Sequence, residues 1–480
     1  MAENVSPAPT EELYPKSVRD QLTSLENGEY PEHIPPETPI LGFTGALGTG
    51  CSTLAKGLAE YHNYSFFALS TPIHKVSKHR KHKETFEILQ GIGNDLRRQR
   101  GLDILAWLAL LEADKAWSRV SRSNSRYTGI VLDGIRNARE VESLRAFTNF
   151  FLFSIQASED DQKKRLLSSN RCRTEDECKK AIERDADEKL EYGQQINRCN
   201  ELADIVVLND RNVQVASERI LGAYVREKVY DPYVGLIELL SLPKRSKIID
   251  FIPTVDETLM TAAYAESKRS RCLKRKVGAI ITTKDGDIIA SGYNDVPEGS
   301  SSCWEHPDYK WCYRDIIQEA AGRKILYCPK CGRKVDLQVK CVNCGMSMTA
   351  FAKRCPTCNS DPEISYECPG CESLVFKEFL IGTQPEAGKL LDVCRSLHAE
   401  ENAIVKLSKM GIPVPIGARI FVTAFPCNLC ANKIATSDIS EVVYSEPYVT
   451  KEARDILTNN NVKVTPFQGV KSPAYFRLYR

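Results

Sequence analysis

ILGFTGALGTGCST, residues 40–53, decides the fold of the first part of the chain. A short apolar run ends in glycines, a Gly-rich loop follows, and STLAKGLAEYH continues with helical spacing: strand, loop, helix. The loop GALGTGCST (45–53) is one residue short of the phosphate-binding pattern G-x-x-x-x-G-K-[ST], because Cys51 stands where that pattern has lysine. Backbone N–H groups and a helix N-terminus still make an anion cradle, and Ser52 keeps its reach to a Mg²⁺ ion. Cys51 cannot place a positive charge on the β- and γ-phosphates. The expectation is a nucleotide site at Gly45, Gly48, Gly50, Cys51, Ser52 and Thr53, with fast phosphoryl transfer disfavoured. HKVSKHRKHK (74–83) and LRRQR (96–100) are candidate sources of a substitute cation, although such runs are ordinarily solvated basic surface.

Working outward, three further apolar runs follow: YTGIVLDGIR (127–136), FTNFFLFSIQA (147–157) and ELADIVVLND (201–210). Strands alternating with helices argue an α/β domain with a parallel sheet covered on both faces, placed at 39–230. Residues 1–38, Pro-rich and without periodicity, read as a flexible arm. Residues 231–257 read as a connector with its own short helix, and a second α/β domain occupies 258–480. It opens with a helical pattern and a hairpin, KVGAIITTKDGDIIASGYN (276–294), turning at Asp285-Gly286. After a cysteine-rich insert at 325–375 it continues as helix, strand, helix and strand.

The 480 residues are 42% hydrophobic and 27% charged, with a net charge of +2, so no global charge drives the protein onto nucleic acid or membrane. The chain has no long apolar run and no secretory signal, which sets the expectation of a cytoplasmic protein. Eighteen cysteines, ten of them in C-x-x-C pairs, then read as metal ligands rather than disulfides.

The strongest chemical signal pairs H-A-E at 398–400 with P-C-N-L-C at 426–430. His398, Cys427 and Cys430 offer one imidazole and two thiolates to a zinc ion and leave a fourth position open for water, as catalytic sites do. His398 and the cysteine pair each begin a helix, which points two positive helix ends at that position. Glu400, two residues past the histidine, can reach the water without binding the metal and carry its proton to a leaving ammonia. The two motifs together form the zinc nucleobase-deaminase signature, in which a non-ligand Glu is the acid/base.

SKRSRCLKRKVGAIIT, IIASGYND, SSSCWEH and VCRSLHAEENAI resemble the deoxycytidylate deaminases in sequence and order, over most of 257–480 outside the insert. The resemblance implies attack at C4 of cytosine with release of ammonia, a homo-oligomer, and a cytidine-deaminase-like α/β/α fold. It also implies that Asn294 holds the sugar hydroxyl, that the Ala399 backbone meets the pyrimidine edge, and that Tyr448 packs near the substrate. Asn294 can equally be a turn residue. Cys272, Cys303, Cys312 and Cys394, with His306 as a substitute for one of them, fit either a further structural zinc site or scattered buried thiols.

The insert repeats. Cys328, Cys331, Cys341 and Cys344 are followed, each 27 residues later, by Cys355, Cys358, Cys368 and Cys371. Each block is C-x-x-C, nine residues, C-x-x-C, the spacing of a zinc ribbon, and so polar a unit has no core without metal. The expectation is a double zinc ribbon with two structural zinc ions, serving as a spacer or oligomer contact, or binding nucleic acid or protein.

In the first domain, LDGIRNAREVE resembles the deoxynucleoside monophosphate kinases, with Asp133 and Arg136 in their strand-end Asp and following Arg positions. KKRLLSSNR and 181–210 resemble that family's lid and terminal strand. The resemblance implies a P-loop kinase-like three-layer domain in which Asp133 holds Mg²⁺ through water; an Asp there can also simply cap a helix. The whole layout resembles the fused deoxycytidine-nucleotide deaminases of bacterial anti-phage defence, which convert dCTP and dCMP to uracil forms. That implies an enzyme on free deoxycytidine nucleotides with a nucleotide effector at the P-loop. The competing readings are an RNA or single-stranded DNA editor using the ribbons, and a catalytically silent nucleotide sensor.

Overall fold

The computed structural model describes residues 13–82, 84–120, 127–169, 171–186, 191–210, 218–241, 252–305, 312, 314, 394–446 and 450–479. Within 326–376 it describes six short strands together with Cys344 and Cys358. The chain folds as two compact units, Met1–Ala262 with Thr423–Phe425 and Glu441–Arg480, and Ala263–Val422 with Pro426–Ser440.

Strands β1 (Ile40–Thr44), β2 (Tyr64–Ala68), β3 (Gly129–Asp133), β4 (Phe150–Gln156) and β5 (Ile205–Leu208) form a parallel sheet in the order β5-β4-β1-β3-β2. Consecutive residues of these strands enter opposite cores. Ile40, Leu132 and Phe150 pack on one face, and Leu41, Val131 and Phe151 on the other. A strand apolar on both faces needs helices on both, hence three layers. Helices Phe86–Arg100 and Ile104–Val120 cover the first face with Leu96 and Leu108; helix Cys51–His62 covers the second with Leu54 and Leu58. The chain leaves β1 between strands reached in opposite directions, and the crevice at such a switch point is where α/β sheets hold ligands.

Part of the expected flexible arm is ordered structure. Residues Lys16–Glu26 form a helix, and Tyr14, Val18 and Leu22 are buried in the first core. Proline content around it hid it, because the apolar stripe is only three residues long, Val18, Leu22 and Leu25.

Strands β6 (Gly278–Thr282) and β7 (Ile288–Tyr293) make the expected antiparallel hairpin, with Gly286 at φ +99° in its turn. Six short strands follow in the insert: β8 (Leu326–Tyr327) with β9 (Lys334–Val335), β10 (Val339–Lys340) with β11 (Ser347–Met348), and β12 (Ser365–Glu367) with β13 (Leu374–Phe376), each pair antiparallel. The chain then forms β14 (Arg419–Ala424), β15 (Glu441–Glu446) and β16 (Lys463–Pro466), and the sheet order is β16-β15-β14-β6-β7. The last strand, β17 (Gly469–Val470), pairs antiparallel with β5 and so becomes the edge of the first sheet. Helix Ser472–Leu478 follows it, with Ala474 and Leu478 in the second core.

Candidate active site

Helix Ala399–Met410 packs directly on β7, and Gly292 makes the close approach possible. A Cβ there would lie 2.2 Å from the Ala399 carbonyl oxygen and 2.6 Å from the Ala403 nitrogen, distances at which only a hydrogen fits. The entry to the helix is held as well: Asp295 and Leu397 exchange backbone hydrogen bonds at 3.2 and 2.9 Å. The Asp295 carboxylate accepts from the Val296 N–H at 2.8 Å and from Arg271 Nε at 2.8 Å. His398 therefore occupies the N-cap of one helix, and Cys427 occupies the N-cap of another, Asn428–Ala435, with Cys430 in its first turn. The Glu401 carboxylate and Lys433 Nζ, 2.8 Å apart, tie the two helices together.

The three candidate ligands converge. His398 Nδ1 lies 3.3 Å from Cys427 Sγ and 3.4 Å from Cys430 Sγ. Among the described residues this is the one group of three whose ligand atoms all lie within 4.8 Å of one another. In a tetrahedron with Zn–S of about 2.3 Å and Zn–N of about 2.0 Å, the S···N edge is about 3.5 Å, so the donor set fits zinc. Hydrogen bonds from Cys430 and His398 push the Cys427 thiol down to about 4, and the hydrogen bond to Cys427 raises His398. Glu400 is buried beside this cluster, and burial raises its carboxyl above the ordinary value.

Of the residues expected around the base, Ala399 is fully buried, its carbonyl facing Gly292. Asn294 commits its carboxamide to the backbone: Oδ1 accepts from the Val277 N–H at 2.7 Å and Nδ2 donates to the Arg275 carbonyl at 2.9 Å. Tyr448 and His306 lie outside the described residues. Cys272, Cys303, Cys312 and Cys394 are all described, and they are not gathered within that distance of one another. Of the ribbon cysteines only Cys344 and Cys358 are described; Cys328, Cys331, Cys341, Cys355, Cys368 and Cys371 are not. Three C-x-x-C pairs nevertheless fall in the six-residue connections of the three insert hairpins, 328–333, 341–346 and 368–373.

In the first unit the Gly-rich loop joins β1 to helix Cys51–His62, with Gly48 at φ +79° and Gly50 at φ +80°, values that glycine adopts without strain. Its carbonyls are tied back. Arg165 Nη1 donates to the Gly48 and Thr49 oxygens at 3.2 Å each, and Asn209 Nδ2 to the Thr49 oxygen at 2.7 Å. Thr53 N–H donates to the Gly50 oxygen, and the Gly45 backbone lies close to the Thr49 side chain. The Cys51 thiol points at Asp133, 3.7 Å from Oδ1, and burial raises it well above its ordinary value, so it stays protonated. Ser52 also hydrogen-bonds the Asp133 carboxylate. Three of the expected substitute cations are engaged elsewhere: Lys75 pairs with Glu112, Arg97 with Glu140 in full burial, and Arg100 with Glu26. The guanidinium that acts on the Cys51 thiol is that of Arg136. Arg165, Asn209 and Asp185 were not singled out from the sequence; the polar side chains that close a loop come from distant helices and carry no local pattern.

The family model for the cytidine and deoxycytidylate deaminase zinc-binding region matches residues 253–446. A deoxycytidylate deaminase of Enterobacteria phage T4 is 28% identical over 211 residues, 43% of this chain and 86% of that protein. One from Schizosaccharomyces pombe is 26% identical over 251 residues, 52% of this chain, and the match spans about half (49%) of that relative's length. The crystal structure of the dCMP deaminase of cyanophage S-TIM5 in apo form aligns with TM-score 0.24 and 20% identity, covering 45% of this chain and all (100%) of that one. Residues 253–446 are thus similar to the zinc-binding region of the cytidine and deoxycytidylate deaminases.

Proposed function

We propose that the protein hydrolytically deaminates deoxycytidine nucleotides, dCMP and dCTP, to the corresponding deoxyuridine nucleotides. The observation that carries this reading is Glu400, a buried carboxyl with a raised proton affinity beside the His398–Cys427–Cys430 cluster. A zinc ion held by those three side chains supplies the Lewis acidity that makes water nucleophilic near neutral pH. Glu400 accepts the proton that water loses as oxygen bonds to C4 of the cytosine. It then returns a proton to the amino nitrogen, and the C4–N bond breaks with release of ammonia. Burial of Glu400 suits both halves of this cycle, because a carboxyl that holds its proton more tightly is both a better base and a usable acid near pH 7.

The P-loop domain is, in this reading, a nucleotide-binding regulator, with Gly45, Gly48, Gly50, Ser52 and Thr53 around the phosphates and Asp133 towards Mg²⁺. The insert holds two structural zinc ions, a reading supported by the short antiparallel strand pairs that flank C-x-x-C segments in the sequence. The enzyme is a cytoplasmic homo-oligomer whose action depletes dCTP in anti-phage defence. Purified, zinc-loaded protein given dCMP, dCTP, CMP and a short oligodeoxynucleotide tests the core claim. Ammonia and deoxyuridine-nucleotide release from the free deoxynucleotides supports it. Turnover of the oligonucleotide alone, or of nothing even with nucleoside triphosphates added, overturns it.

A further inference from the structure

One amide of the Gly-rich loop already meets a negative charge from within the chain. Leu47 N–H, an amide of the loop, donates to Asp185 Oδ2 at 2.8 Å. The other oxygen of the same carboxylate pairs with the Arg136 guanidinium. Asp185 is fully buried near the end of helix Glu175–Ala186, and Cys178, in the first turn of that helix, packs with Leu47 and Leu166. Arg136 also donates to the Gln194 side chain at 3.1 Å, so its guanidinium is held from two sides.

These contacts bear on phosphate binding because of Cys51. A loop with lysine carries its own cation, and an anion is drawn to it whatever else is near. Here the residue at that position is a protonated thiol turned towards Asp133, and the Arg136 guanidinium that acts on it is paired with Asp185. A phosphate and a carboxylate seek the same partners, a loop N–H and a guanidinium, and two anions cannot share them in a buried nest without repelling each other.

We propose that Asp185 is an internal occupant of the phosphate cradle, a latch that a nucleotide's phosphate must displace from Leu47 and Arg136 in order to bind. This rests on the reading that the loop holds a nucleotide. It makes the release of helix Glu175–Ala186 the conformational consequence of binding, and it gives the lysine-lacking loop a threshold: only a ligand that competes with the carboxylate is sensed.

The test measures binding of N-methylanthraniloyl-labelled ATP and dATP to the full chain, with and without Mg²⁺, for wild type and Asp185→Asn. The asparagine keeps an acceptor for Leu47 and removes the charge. Tighter binding by Asp185→Asn, about tenfold both with and without Mg²⁺, supports the latch. Equal affinity overturns it, and so does weaker binding confined to the Mg²⁺ condition, which would make Asp185 a metal-side residue. Failure of both proteins to bind either probe overturns the underlying reading of the loop, and the latch with it. Wild-type hydrogen exchange keeps the question open to refutation if the variant misfolds. Saturation with labelled ATP should increase exchange across 175–186, and unchanged protection there with nucleotide bound overturns the proposal.

Discussion

Lys471 Nζ donates to the backbone carbonyls of Asn200 at 2.9 Å and Glu201 at 3.0 Å, and its side chain is fully buried. The ammonium caps the C-terminal end of helix Ile196–Leu202, where carbonyls lack intrahelical partners, just before β5 begins. It is also the residue that follows β17, so one side chain fastens the last strand of the chain to the edge of the first sheet. Replacing Lys471 with Met keeps the length and removes the donor. The expected loss is about 2–4 kcal/mol, because buried carbonyls are left unmet. Urea unfolding of wild type and variant checks it; an unchanged midpoint would show that the carbonyls find other partners.

Gly292 sets the depth of the helix that carries the candidate ligand His398. Gly292→Ala places a methyl against the Ala399 and Ala403 backbone. The expected cost is at least about 1–3 kcal/mol, since backbone cannot rotate away as a side chain can. Zinc retention should fall together with stability, and the two are measured by metal analysis after dialysis and by thermal melting.

Glu400→Gln preserves shape and removes the proton carrier. Zinc content and Tm should stay close to wild type while ammonia release from dCMP drops about 10²–10⁴-fold. Substantial turnover by this variant would exclude Glu400 as the acid/base.

Metal content separates the two zinc readings. One ion at His398, Cys427 and Cys430 and one in each ribbon give about three zinc ions per chain. Removing 325–375 and joining the ends with a short Gly-Ser linker should leave about one ion, and Cys427→Ser on that background should leave essentially none. Full metal retention after the deletion would refute the ribbons.

Burial raises the Asp133 carboxyl above its ordinary value. Its contribution to stability is therefore fully present below the unfolded value and is lost as pH rises through the folded one. Asp133→Asn removes that dependence. The variant should match wild type near pH 4 and melt about 2–4 °C higher at pH 7–8. A variant that melts lower at neutral pH would mean that the hydrogen bonds from Ser52 and Cys51 outweigh the burial of charge.

The sequence by itself determined the elements whose signal is local. The run 40–53 contains its own strand, loop and helix, and the hairpin around Asp285-Gly286 has its turn written between two β-rich stretches. The candidate ligands His398, Cys427 and Cys430 stood out because donors at helix starts fall at fixed short spacings, and the structure brings these three together. Strand β2 was not: YSFFA is five residues long and lies at the sheet edge, only half-buried towards its end, with too little alternation to stand out. The helix Lys16–Glu26 was masked by the prolines around it. Only the tertiary structure decided that Arg136, Asp185 and Leu47 meet. Asp185 lies 138 residues from Leu47 along the chain, and nothing in the identity of an acid on a helix announces which loop amide it will satisfy. The same holds for β17, two residues that say nothing by pattern. Their pairing is set by an open edge at β5 and by the need of buried backbone groups for partners.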